Sequence, residues 1–179
     1  MKTYIVLLRG INVSGQKKII MADLRELLEG LKFQDVETYI QSGNVILKSS
    51  ETDNNKIAEK IKKVIADTFG SDVPVLAKSH EELKSIFDNN PFTDPTDIEN
   101  KKVYFALLKK TPENKLIKEF QKTEYPNDEF VVTADCVYLN YKNGAGSAKL
   151  ANNVIERKLK VVATSRNYRT MVKLLAMSS

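Results

Sequence analysis

Tryptophan is absent from this chain, histidine and cysteine occur once each, and no apolar run approaches about 18 residues. Each scarcity excludes something. A lone Cys136 cannot close an internal disulfide, which agrees with a reducing compartment. His80 stands beside Glu81 and Glu82 at the start of an expected helix, with no metal-ligand spacing around it, so neither a metal nor another cofactor is expected. The absence of a long apolar run excludes a helical membrane span, and MKTYIVLLRGINVSGQ lacks the apolar core and cleavage site of a secretory signal. The expected compartment is the cytoplasm. With 42% hydrophobic and 28% charged residues and five prolines, the composition is that of a globular protein.

Charge is unevenly placed. Residues 1 to 140 hold 20 Lys+Arg against 22 Asp+Glu, whereas residues 141 to 179 hold 8 basic residues against Glu156 alone. A block with that excess attracts phosphates or nucleic acid through its summed field, or forms a solvated surface facing an acidic partner.

The order of periodicities gives the fold. Thr3–Arg9 is a short aliphatic strand, and Met21, Leu24, Leu27, Leu28 and Leu31 follow at helical spacing. Val36–Gln41 and Asn44–Lys48 are strands around a Ser42-Gly43 turn. Ile57, Ile61, Val64 and Ile65 mark a second helix after Asp53 and Asn54 as caps, and Val73–Lys78 is a fourth strand whose Pro74 suits a sheet edge. A short helix over 80–87 follows, with Ser79 and Glu82 at capping-box spacing. The pattern then restarts: a strand over 103–110, a helix from Thr111-Pro112, a hairpin across Ala134-Asp135, a helix striped by Leu150, Val154, Ile155 and Leu159, a strand over 161–164 and a final helix from Arg166. The expected fold is α+β. It consists of two ferredoxin-like β-α-β-β-α-β halves in tandem, each an antiparallel sheet with helices on one face, plus a C-terminal helix without a first-half counterpart. The boundaries are 1–89 for the first half with its trailing helix, 90–101 for a linker and 102–179 for the second half.

That topology predicts which loops meet. The usual strand order brings Arg9–Lys18, the start of the first helix and Gln41–Asn44 to one rim. Backbone N–H groups at a helix start seat anions; Arg9, Lys17 and Lys18 would add charge, and Asn12, Ser42 and Asn44 neutral hydrogen bonds. The same residues also suit plain turns, Ser42-Gly43-Asn44 above all. In the second half, Asn143–Lys149 and Thr164–Asn167 are expected to open two helices at a common end, placing Lys149, Arg166 and Asn167 around a second anion seat.

No complete catalytic motif is present, so whether the protein is an enzyme stays open. Gly144-Ala145-Gly146-Ser147 lacks the third glycine of a dinucleotide fingerprint, and there is no P-loop. Cys136 lies within a strand without a local cationic motif, which describes an inert thiol. A ferredoxin-like sheet is also the scaffold of an RNA-recognition module, but the aromatic pattern that such modules use is missing.

The stretches LRGINVSG (8–15), MADLRELLE (21–29), TYIQSGNVIL (38–47), VPV (73–75), NPF (90–92) and ATSRNYRT (163–170) resemble DUF1697, a bacterial family of uncharacterised proteins. The resemblance implies two ferredoxin-like halves and no activity. Arg9, Asn12, Ser42, Asn44, Lys149, Arg166 and Asn167 stand in matching positions, whereas Ser14, Ser147 and Arg169 depart from the family's usual residues. The leading functional expectation is a phosphate-bearing or otherwise anionic small molecule bound at one or both rims, or where the halves meet, through Arg9, Asn12, Lys17, Ser42, Asn44, Lys149, Arg166 and Asn167. The alternatives are nucleic-acid binding through the basic C-terminal block and a protein-interaction module without a small ligand. The oligomeric state is left open.

Overall fold

The computed structural model describes all 179 residues. Its first run of elements is β1 (Lys2–Leu8), α1 (Met21–Gly30), β2 (Gln34–Tyr39), β3 (Asn44–Ser49), α2 (Asn54–Phe69), β4 (Val75–Ser79) and α3 (His80–Asp88). After a short α4 (Pro95–Glu99) comes the second run: β5 (Val103–Leu108), α5 (Asn114–Gln121), β6 (Asp128–Val132), β7 (Cys136–Tyr141), α6 (Asn152–Leu159), β8 (Ala163–Asn167) and α7 (Tyr168–Ser178). Two antiparallel sheets result, ordered β2-β3-β1-β4 and β6-β7-β5-β8. The chain divides into two compact units, Met1–Lys84 with Leu174–Ser179, and Ser85–Lys173. The division falls inside α3 and α7, and segment 90–101 belongs to the second unit.

Local chemistry accounts for the elements. The Asp53 side chain caps α2 by accepting from the Asn55 and Lys56 N–H groups, and Gly70 ends the helix at φ 67°. Ile57, Ile61 and Ile65 follow at four-residue spacing and are buried with Tyr4, Val6, Leu8, Leu24 and Leu28. Strand β1 is buried on both faces, since Ile5 and Leu7 are as inaccessible as Tyr4 and Val6. This is why its sequence is a continuous apolar run. In the second unit Ala106, Leu108, Val137 and Leu139 pack against Phe120, Ile155 and Leu159. On the other face of that sheet, Phe105 stacks on Phe87 at 5.7 Å and meets Tyr138 edge-on at 5.7 Å.

The duplication extends to individual hydrogen bonds. Leu8 N–H donates to the Gly43 carbonyl and Arg9 N–H to Pro74, while Leu108 N–H donates to Asp135 and Lys109 N–H to Val162. The final helix also has a counterpart, contrary to the sequence expectation. Both α3 and α7 follow an edge strand directly, and the last strand residue caps each. Ser79 Oγ accepts from Glu82 N–H, with Glu82 returning a bond to Ser79 N–H, and Asn167 Oδ1 accepts from Thr170 N–H. Because Asn167 is the cap, α7 starts at Tyr168 and Arg166 belongs to β8. Where the units differ is the connection after the first strand: Arg9–Ile20 in the first, Lys109–Glu113 in the second.

Candidate functional site

The long first-unit connection is a small hairpin. Ser14 and Gly15 both have positive φ, at 50° and 74°, and Gln16 N–H returns to the Val13 carbonyl at 3.0 Å, the geometry of a tight turn with two left-handed central residues. Below the tip, Asn12 N–H donates to the Lys17 carbonyl at 3.2 Å. The Asn12 side chain then locks the base. Its Nδ2 donates to the Ile19 carbonyl at 2.9 Å and to the Gln41 carbonyl at 2.8 Å, and its Oδ1 accepts from Ile19 N–H at 2.8 Å. Both amide hydrogens are thereby engaged, and the loop is fastened to the β2–β3 turn.

That turn is fixed by packing as well as by bonding. A side chain on Gly43 would place its Cβ 2.7 Å from Leu8 Cβ and 3.0 Å from Ile11 Cδ1, at a φ of 87°. Only glycine fits. The Asn44 side chain is fully buried and donates to the Tyr39 carbonyl at 3.0 Å and to Ser42 Oγ at 3.1 Å. The polar groups of Asn12, Ser42 and Asn44 therefore brace the rim that the sequence placed them on.

The outward groups of the rim are of another kind. Lys17, at φ 44°, donates its ammonium to the Asp72 carbonyl at 2.6 Å. Lys18 is exposed and Arg9 half-buried, and no carboxylate occurs between Arg9 and Ala22 or between Thr38 and Ser50. Ile20 occupies the cap position of α1, so that helix opens without a side-chain cap bond. Val13, Ile20 and Ile40 are all more than half exposed, at 57%, 55% and 52%. Ile40 also holds φ 51°, a conformation that a β-branched residue adopts only under constraint.

In the second unit, Asn143–Lys149 forms a loop with one 3-10 turn over Ala145–Ser147 instead of a helix start, and α6 begins at Asn152. The anion at that loop is the chain's own: buried Asp128 accepts from the Lys149 and Leu150 N–H groups, both at 3.0 Å, and Tyr141 Oη donates to the Leu150 carbonyl at 2.8 Å. Burial raises the Tyr141 hydroxyl well above the ordinary tyrosine range, which keeps it a donor. Lys149 and Arg166 do not converge. Asp128 is on β6 and Arg166 on β8, the two opposite edges of the sheet, roughly 14 Å apart by three strand spacings. Arg166 shares a strand face with buried Thr164, whose hydroxyl has no partner, and burial lowers its guanidinium to about 10, still protonated at neutral pH. Its Nη1 donates to the Ser165 carbonyl at 2.9 Å. Asn167 is the α7 cap.

Sequence reasoning placed Gln41 on the rim without its carbonyl's role as a partner of Asn12, and it missed Asp128 and the exposure of Val13, Ile20 and Ile40. Ile40 read as the end of a strand, and the partner of Asn12 in the β2–β3 turn is a backbone carbonyl, which leaves no mark in residue type. Cys136 is buried outright. No group of histidine, cysteine and carboxylate side chains is arranged to hold a metal ion.

Fold and rim together define a duplicated ferredoxin-like α+β protein with one elaborated loop. The chain belongs to the family described as a protein of unknown function, DUF1697, whose model matches residues 1–138. A conserved bacterial protein, SP0830 from Streptococcus pneumoniae, has a similar structure with TM-score 0.77 and 23% identity over 99% of each chain. No curated protein matches the chain. No helix is long and apolar enough to cross a membrane.

Proposed function

We propose that the protein is a binding protein whose first-unit rim, built by Arg9–Ile20 and the β2–β3 turn, takes an anionic ligand. The observation that carries this reading is a loop held in one shape by Asn12 whose sequence brings Arg9, Lys17 and Lys18 and no acidic residue. A rigid cationic loop loses little entropy when an anion arrives. The opening of α1 beside it has no side-chain cap bond, and its first turn carries Asp23. The compartment proposed is the cytoplasm, supported by a single buried thiol. The second-unit loop is a weaker seat, because Asp128 already fills it.

The test is thermal unfolding in a series of anions: inorganic phosphate, a sugar phosphate, a mononucleotide and sulfate. A concentration-dependent rise in Tm that shrinks in an Arg9→Ala, Lys18→Ala double variant supports the reading. Equal shifts in wild type and variant would remove it.

A further inference from the structure

The apolar residues of the rim ask for a partner that a small hydrated anion does not satisfy. Apart from Met1, Val13, Ile20 and Ile40 are the exposed large apolar side chains of the first unit. Their stretches of backbone are also drawn together. One side chain, Asn12, bonds the Ile19 and Gln41 carbonyls through the same nitrogen, and each exposed residue is the chain neighbour of one member of that node: Val13 of Asn12, Ile20 of Ile19, Ile40 of Gln41. Singly scattered apolar residues need no explanation, whereas a set on one braced rim does.

We infer that this rim docks on an anionic lipid surface, with Val13, Ile20 and Ile40 entering the headgroup–acyl boundary and Arg9, Lys17 and Lys18 among the lipid phosphates. The inference rests on the anion-binding reading and names its ligand. Charge complementarity supports it, because Arg9, Lys17 and Lys18 belong to the same loop as Val13 and Ile20 and no acidic residue interrupts that loop in sequence. Side-chain chemistry separates a bilayer from a protein partner. Protein interfaces are anchored chiefly by Trp, Tyr and Arg seated in pockets, whereas the exposed apolar groups of this rim are all aliphatic and its aromatic residue, Tyr39, is half-buried. A fluid acyl layer accepts aliphatic groups of any outline and needs no matching pocket. The left-handed Ile40 fits the same picture, since the strain there holds an apolar side chain in water.

The test is sedimentation of the full chain with vesicles of phosphatidylcholine alone and of phosphatidylcholine with phosphatidylglycerol. The expected result is binding to the anionic vesicles at least about tenfold stronger than to the neutral ones, and weakening with salt. The decisive variant is Val13→Thr, Ile20→Ser, Ile40→Asn. It removes the apolar groups while giving α1 a capping hydroxyl and the turn a residue that tolerates positive φ, so its fold is kept. Loss of vesicle binding in this variant, with Tm unchanged or raised, supports the inference. Wild-type binding retained by the variant overturns it. If wild type ignores vesicles while inorganic phosphate still raises its Tm through Arg9 and Lys18, the lipid assignment fails and the anion reading stands. If neither ligand acts, both fail.

Discussion

Asn12 and Gln41, 29 residues apart in sequence, are joined by a 2.8 Å hydrogen bond from the Asn12 amide to the Gln41 carbonyl, and through it the first-unit loop and hairpin become one rim. Asn12 makes two further side-chain bonds to Ile19 and holds a left-handed backbone that asparagine tolerates better than most residues. An Asn12→Ala variant loses all three bonds and is expected to be less stable by about 3 kcal/mol. Asn12→Asp keeps the acceptor but neither donor, and falls between. Urea unfolding measures both; a loss below about 0.5 kcal/mol in the alanine variant would show that the loop does not need the clasp.

Two glycines of the same rim separate crowding from strain. Gly43 and Gly15 both have positive φ, yet a Cβ at Gly43 meets Leu8 and Ile11, whereas at Gly15 nothing lies within 4 Å. Gly15→Ala is expected to cost about 1 kcal/mol from backbone strain alone. Gly43→Ala carries the clash as well and should cost about 3 kcal/mol or more. Equal midpoints in denaturant would refute the packing argument.

What the sequence disclosed and what it hid divide by the range of the interaction. Apolar periodicity revealed both sheets and five of the helices, and the Ser79 and Glu82 capping box is present as spacing alone suggested. Rim membership was also legible, because strand order brings Gly43 against Leu8 whatever the loops contain. The roles of Asn12 and Asn44 were not. Asn12 binds backbone carbonyls whose positions depend on the finished fold, and Asn44 binds the Tyr39 carbonyl and Ser42 Oγ within its own hairpin, so both amides are engaged internally. Arg166 looked like a helix-start cation because Thr164–Asn167 is polar. The capping preference of Asn167 moved the helix start past it.

Ile40 gives a substitution expected to stabilise. At φ 51° and more than half exposed, its side chain gains little from packing and suffers the left-handed penalty. Ile40→Asn should raise stability by about 0.5 to 1 kcal/mol. A drop in Tm would mean that Ile40 makes contacts outweighing its strain.

Asp128 is the second unit's equivalent of the Asn12 clasp, an internal anion for the Lys149 and Leu150 N–H groups. Asp128→Ala leaves two N–H groups without an acceptor and should cost about 2 to 3 kcal/mol. Asp128→Asn retains an acceptor oxygen and should cost less. If both variants unfold at the wild-type midpoint, water replaces the carboxylate without loss.

Two half-buried carboxylates, Glu51 and Asp97, contribute to the acid limb of stability. Glu51 lies below its ordinary 4.5 because the Asp53 N–H, and after it the Thr52 N–H, bond its charged form at the entry to α2. Asp97 lies below 3.8 because the Asn140 amide donates to it, with Lys102 adjacent. A folded value below the unfolded one means that the unfolded chain binds protons first as pH falls. The contribution is complete above the ordinary carboxylate values and disappears as pH drops through the folded ones. Denaturant midpoints measured from pH 7 downward should therefore fall on the acid side. The fall should be shallower in Glu51→Gln and in Asp97→Asn, each variant resembling wild type most at the lowest pH. A slope as steep in both variants as in wild type would assign the acid sensitivity to other groups.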